Sequence, residues 1–364
     1  VYVTCRDSRL FLARPYIKYI KFGGNNVNGF VEEVCTQGAL MKEVIRYYRG
    51  EGLKTIETIV AAYKDRGCNQ VILSGMGSSL YAMDAVRGYL TGKGIRTLAF
   101  SAFELSRFQF NHIDEKTLLV TISQSGKSME VIELVEKARP IATVVGIYNT
   151  EGCPLSQMAE YSLPIRANKE SSITSKTYEF TMLILNVLAH TLTGELNDAF
   201  WKELDFVADW CSGWLENWQE NSKPMYDFAQ GTLLFDLLAN NASLATARQL
   251  SLAYREGLHN CTAVWECADY AHGQFHSSKL AGEYQAQMFF PVFEDNTKEM
   301  KMLNYILEHG GRVMLYTASD IPERERLMVV KLPKVRESLM PLIESVAAET
   351  FMGMLFGPTW VKDH

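Results

Sequence analysis

What this 364-residue chain lacks narrows its reading early. No apolar run looks long enough to cross a membrane. The longest reads from Thr181 to Leu192, is interrupted by Asn186 and His190, and falls short of the roughly 20 residues a spanning helix needs. Cysteines at CxxC spacing are missing, and the seven present (Cys5, Cys35, Cys68, Cys153, Cys211, Cys261, Cys267) are odd in number. They read as reduced thiols in a cytoplasm, not as a disulfide framework or a zinc site. Positive charge is also in deficit: 36 Lys and Arg against 42 Asp and Glu leave a formal charge of −6. Without a basic stripe, nucleic acid is excluded as the main partner. A phosphorylated small molecule is not excluded, because local donors, not net charge, bind phosphate.

What is present is the make-up of a globular protein, 47% hydrophobic and 21% charged, long enough for two domains. The first forty residues show little sustained periodicity. They start with Val and carry Arg6, Arg9, Arg14, Lys18 and Lys21, with no apolar signal core behind them. A clean helical pattern opens at Met41, so the native start is expected there, with residues 1–40 being upstream sequence or a loosely held arm.

From residue 41, strands and helices alternate. Short apolar runs at Val71–Leu73, Thr97–Phe100, Leu118–Ser123, Val144–Tyr148 and Tyr161–Ile165 read as strands, closed by a helix over Lys176–Leu192. The order returns roughly 165 residues later. Strands are expected at Leu233–Phe235, Met288–Phe293, Val313–Tyr316 and Met328–Leu332, a shorter one near Val264–Trp265, and a closing helix over Met340–Leu355. The expectation is an α/β fold of two tandem doubly wound, flavodoxin-like parallel sheets, at 41–195 and 223–364. Between them, Trp210, Trp214 and Trp218 mark a packed linker helix over 196–222.

The candidate site centres on Thr121-Ile122-Ser123-Gln124-Ser125-Gly126-Lys127-Ser128, an apolar run, a hydroxyl-rich turn and a helix start. That layout suits an anion, because amides and dipole point the same way. It is not a nucleotide P-loop, which needs Gly where Thr121 stands. Gly75-Met76-Gly77-Ser78-Ser79 ends the first strand and offers a second wall, but fails as a dinucleotide fingerprint at Leu80. The second copy has Glu294-Asp295-Asn296-Thr297-Lys298 in place of the serine turn, so one phosphate site per chain is expected. Glu256, at the end of a helical run, and His272, in a turn, are the pair chosen for proton transfer. His272 and His276 are four apart, but Gly273 interrupts a common face and no HExxH is present, so no metal and no cofactor are expected.

These motifs resemble the sugar isomerase (SIS) domain: Ser123-Gln124-Ser125-Gly126 with Ser128, and the Gly77-Ser78-Ser79 loop. The duplication over roughly 41–355 resembles the paired SIS domains of the isomerase half of glucosamine-6-phosphate synthases, and still more the fructosamine- and glucoselysine-6-phosphate deglycases. The resemblance implies that Gly77, Ser78, Ser79, Ser123, Gln124, Ser125 and Ser128 contact a 6-phosphosugar. It implies that Glu170–Lys176, including Ser175, closes over the sugar, that Glu256 is the catalytic carboxylate and that His272 opens the ring. It further implies a homodimer or dimer of dimers in which His272 is lent to a neighbouring site, with no membrane or nucleic-acid partner. Three features depart from the pattern. His272-Gly273-Gln274 lacks the usual Pro, Ala253 stands where synthases carry Lys, and only Lys362 is available as the tail lysine. No glutamine-hydrolysing segment is read, so a deglycase acting on a sugar–amino acid conjugate is expected. The alternatives are a glucosamine-6-phosphate deaminase/isomerase and a non-catalytic sugar-phosphate sensor.

Overall fold

The computed structural model describes residues 27–292 and 297–362. Two five-stranded sheets, parallel throughout, form its framework. The first has the order β2-β1-β3-β4-β5, from β1 (Gln70–Gly75), β2 (Arg96–Ser101), β3 (Thr117–Ile122), β4 (Thr143–Tyr148) and β5 (Tyr161–Pro164). The second runs β10-β9-β8-β6-β7, from β6 (Leu234–Ala239), β7 (Thr262–Trp265), β8 (Tyr284–Phe289), β9 (Arg312–Thr317) and β10 (Leu327–Lys331). Read from the other edge, the second order repeats the first, so the expected duplication is what forms.

Three helices lead into the first sheet: α1 (Gly29–Cys35), α2 (Gln37–Arg49) and α3 (Glu51–Asp65). Behind β1 come α4 (Ser78–Tyr81) and α5 (Asp84–Gly92), then α6 (Ala102–Arg107), α7 (Met129–Ala138) and α8 (Pro154–Met158), and α9 (Lys176–Leu192) closes the half. After α10 (Asp198–Glu216) and α11 (Trp218–Ala229), the second half uses α12 (Leu244–Leu258), α13 (Cys267–Tyr270), α14 (Lys298–Glu308) and α15 (Met340–Phe356). Helices cover both sheet faces, so β1, β3 and β4 are buried at every position. Continuous apolar runs, not alternation, are the pattern such strands require.

α15 is buried along its whole length and lies between the two halves with α9. The 20-residue stretch Glu337–Phe356 contains an 18-residue window of mean hydropathy 1.4 that lies wholly inside the fold. Like the Thr181–Leu192 run of α9, it belongs to a buried core helix.

Three expectations need correction. Residues 1–26 lie outside the described residues, but 27–40 are not a loose arm. α1 buries Phe30, Val31 and Val34, each worth about 1.5–3 kcal/mol when fully buried, and Gly353 of α15 leaves room for Val31, since a Cβ there would meet Val31 Cγ2 at 2.1 Å. A boundary at 41 therefore falls inside α2. The linker is two helices, not one, and a boundary at 223 falls inside α11. Within it, Trp210 and Trp214 stack at 5.1 Å and the Trp214 indole donates to Thr350 Oγ1 at 3.0 Å. The strand expected at Met288–Phe293 begins four residues earlier, because Gln285 and Gln287 read as polar yet are fully buried. Gln287 Nε2 donates to Tyr254 Oη at 2.8 Å.

Candidate active site

β1 and β3 are neighbours, with Gly75 opposite Ile122, so their C-terminal loops are brought side by side. Because β2 lies on the far side of β1, this is the switch point of the sheet, where such folds leave a crevice. Gly77 turns the first loop at φ 53°, a value that suits Gly. It delivers Ser78 and Ser79 to the short α4.

The serine loop is held rigidly. Ser123 N–H donates to Ile147 O, Asn149 N–H to Gln124 O and Leu155 N–H to Gly126 O, at 2.9–3.1 Å. Gly126 has φ 63°, and a Cβ there would lie 2.0 Å from Cys153 Sγ, so no other residue fits. Ser123 and Ser128 hydroxyls pair at 2.9 Å, and Ser125 Oγ accepts from the Lys127 amide at 3.2 Å. Ser128 occupies the N-cap of α7 without capping it by its side chain. Among the described residues the amides of Gln124, Ser125 and Ser128 have no partner. The loop thus combines free N–H groups, small hydroxyls and a helix start, which is an anion cradle.

Sequence placed Glu170–Lys176 over the site, and the structure shows how that segment is fixed. The Glu170 carboxylate takes the amides of Ser175 and Thr177 and both their hydroxyls, capping α9. Burial raises its pKa, and the Thr177 hydroxyl bond works the other way. Ser175, expected among the sugar contacts, is fully buried with its hydroxyl turned to Glu170. From outside, Glu33 of α1 accepts from the Ser171 and Ser172 amides at 2.8 and 3.1 Å, and Gln249 Nε2 of α12 donates to Thr174 O at 2.7 Å.

Glu256 sits on the last turn of α12, whose helix packs on α4. The tail beyond α15 returns to it. Trp360 Nε1 donates to Gly257 O at 2.9 Å and its ring stacks on Phe356 at 4.6 Å. That places Lys362 Nζ 3.9 Å from Glu256 Oε2 and 3.2 Å from Ser172 O. Both side chains are a little over one third exposed, so the pair contributes little to stability and is open to a ligand. The tail's origin is fixed by Asn28, whose Nδ2 donates to Gly353 O and Gly357 O at 2.9 and 2.7 Å.

The structure therefore brings Ser78, Ser79 and the serine loop to one sheet edge, and Glu256, Lys362 and Ser172 to one helix end. It does not bring His272 to either within the described residues. That residue is exposed in a turn, with its amide donating to Asp269 O at 2.9 Å, and its ring makes no hydrogen bond or ion pair to Glu256. The acidic loop expected as the second-copy counterpart lies outside the described residues at 294–296. Sequence reasoning missed Asn28, Glu33 and Gln249. The first two were legible as an Asn cap followed by apolar positions 30, 31 and 34.

Comparison with known proteins agrees with this fold. Residues 66–191 match the SIS domain. Over 334 residues the chain is 24% identical to the glutamine–fructose-6-phosphate aminotransferase (isomerizing) of Thermococcus kodakarensis, covering 86% of this chain and 52% of that protein. The enzyme of the same name from Methanococcus maripaludis is 25% identical over 78% of this chain. The chain thus spans about half the length of the curated relatives it matches. Among solved structures, the C-terminal domain of glucosamine-fructose-6-phosphate aminotransferase from Francisella tularensis superposes with a TM-score of 0.80 at 15% identity, covering 92% of this chain and 97% of that one. Tagatose-6-phosphate ketose/aldose isomerase from Escherichia coli gives 0.75 at 18%, covering 90% and 92%.

Proposed function

This chain is a SIS-domain protein, with a second sheet of the same topology behind the matched one, and on that premise we propose that it is a phosphosugar deglycase/isomerase. Its substrate is a 6-phosphorylated sugar–amino acid conjugate of the fructoselysine- or glucoselysine-6-phosphate type. The phosphate rests on the amides and hydroxyls of Ser123–Ser128, with Ser78 and Ser79 on the other wall. Glu256 takes a proton from one of C1 and C2 and the other carbon is reprotonated, so the C–N bond becomes C=N. Water then adds to that imine, the C–N bond breaks, and hexose 6-phosphate and the free amine leave. Lys362 accompanies Glu256 at the reacting carbons, where its ammonium steadies the developing enolate oxygen. His272 opens the sugar ring, reaching the site of a neighbouring subunit in a homodimer.

The observation that carries this reading is the convergence of Glu256, Lys362 and the Ser172 carbonyl at 3.9 and 3.2 Å, on a helix packed against the element bearing Ser78 and Ser79. A sensor needs no such open acid–base pair. The relatives named as fructose-6-phosphate aminotransferases support the same substrate class, and Ala253 in place of a lysine favours the deglycase over a synthase. Incubation with fructoselysine-, glucoselysine- and glucosamine-6-phosphate, following amine and hexose phosphate together, tests it. Release of both from a conjugate is the expected result. Turnover of glucosamine 6-phosphate alone selects the deaminase/isomerase, and no turnover of any of the three defeats the reading.

A further inference from the structure

Duplication leaves a second cleft at the position that mirrors the first. β6 begins at 234 where β1 begins at 70, and α15 begins at 340 where α9 begins at 176, an equal offset. The loop after β6 therefore corresponds to the Gly77–Ser79 loop, the turn before α15 to the segment before α9, and the end of α5 to the end of α12. These counterparts enclose a cleft of about 390 Å³, inside the roughly 300–1,000 Å³ of small-molecule sites.

Two polar atoms of the lining residues are buried and have no partner among the described residues, His190 Nε2 and Ser338 Oγ. His190 is 0% exposed. Its Nδ1 lies 2.8 Å from the Asn186 carbonyl, which fixes the proton on that nitrogen and leaves Nε2 a bare acceptor. The ring is held between Tyr89 at 4.2 Å and Phe200 at 4.4 Å. Burial lowers its pKa to about 4, so it stays neutral in ordinary buffers. Charges on the lining cancel. Lys93 is paired with Glu195, and Arg336 Nε donates to Glu203 at 2.6 Å, with Glu337 beside it. No cation is left over for a phosphate, whereas an unfilled acceptor and an unfilled hydroxyl remain.

We infer that this cleft binds a neutral polyhydroxylated molecule of hexose size, one hydroxyl donating to His190 Nε2 and another pairing with Ser338 Oγ. The site is separate from the phosphate loop and from Glu256, so it regulates the enzyme or carries a second sugar without taking part in the proton transfer.

The test uses the full chain labelled with ¹⁵N-histidine, titrated with D-glucose and D-fructose, with glucose 6-phosphate as the charged comparator. A neutral sugar is expected to shift the His190 Nε2 resonance saturably in the millimolar range. That response should persist in a Ser123→Ala/Ser125→Ala variant, which disables the phosphate loop. Gly92→Phe should weaken it at least tenfold, because Gly92 lines the cleft and a Cβ there meets nothing within 4 Å, so the ring fills the space without displacing the core. Ser338→Ala should weaken it by a smaller factor and serves if Gly92→Phe does not fold. No shift with either neutral sugar, a shift with the phosphorylated one only, or loss in the serine variant with survival in Gly92→Phe would each overturn the inference.

Discussion

The two clefts of this molecule are built alike and charged in opposite senses. In the first, a helix-end carboxylate, Glu256, meets Lys362 from the tail beyond α15. In the second, Lys93 just past α5 meets Glu195 from the segment beyond α9. Each pair joins the end of a helix to the chain leaving the long closing helix of the same half. The first sits on a helix packed against the short α4, which carries Ser78 and Ser79. The second faces a buried imidazole, and its carboxylate is further held by the Tyr89 hydroxyl at 2.9 Å. Sheet order, helix placement and offset are shared, so none of them supplies the chemistry, which lives in the side chains placed on the repeated frame.

The sharpest way to break the comparison is to make the first cleft resemble the second. Glu256→Gln should lower kcat by about 10²–10⁴, the usual worth of a positioned general base, with affinity for a phosphosugar inhibitor kept. Near-normal turnover would remove Glu256 from the mechanism. The exchange Glu256→Lys with Lys362→Glu restores an ion pair in the polarity of the mirrored cleft. It should fold normally and stay as inactive as Glu256→Gln. Recovered activity in that double variant would mean that the pair acts only as a tie.

A smaller effect separates how the two tails are anchored. Asn28→Ala removes both donors to the Gly353 and Gly357 carbonyls and should cost about 1–3 kcal/mol. In a chain of this size that lowers the thermal midpoint by several degrees, and it should raise KM as Lys362 loses its fixed origin. A midpoint equal to that of the unaltered protein would show that the Trp360 stack suffices. Smaller again, Ser125→Ala should raise KM by up to about tenfold with kcat nearly unchanged, the mark of a ground-state contact. An unaltered KM would argue against the serine loop as the phosphate cradle.

Much of this frame was legible in the sequence because buried parallel strands are written as apolar runs. β1, β3, β4 and β9, and the closing helices α9 and α15, fall where the pattern puts them. The pattern misled where burial is polar. β8 hides Gln285 and Gln287 among its core residues, and α1 is too short to show a period, although it fixes both the loop through Glu33 and the tail through Asn28. The serine loop could be read because an anion cradle is local. The partnership of Glu256 with Lys362 could not, since it depends on α15 carrying the tail back across the fold. Ser175 illustrates the converse: its position beside the site was legible, its hydroxyl's turn toward Glu170 was not.

The smallest expected effect lies between the clefts, where α9 and α15 bury carboxylates. Burial pushes Glu349 up to about 8, partly offset by the hydrogen bond from Gln37 Nε2. Burial also lifts Glu344 to about 7 against the hydroxyls of Ser243 and Thr246, which donate at 2.8 and 2.9 Å. Both groups hold a proton in the folded chain that the unfolded chain, titrating near the ordinary value of 4.5, releases earlier. The folded state therefore binds more protons between those values, and linkage makes stability fall as pH rises through that window. The surface carboxylates with lowered pKa values, such as Asp114 and Asp320, act in the opposite sense at more acid pH. The thermal midpoint is thus expected to decline from pH 6 to pH 8.5. In Glu349→Gln, which keeps an acceptor for Gln37 and carries no titrating proton, the decline should be visibly shallower. A midpoint that holds level or climbs over that range in the unaltered protein would mean that these carboxylates ionise inside the fold without penalty, and that the seam between the two clefts is wetter than its burial indicates.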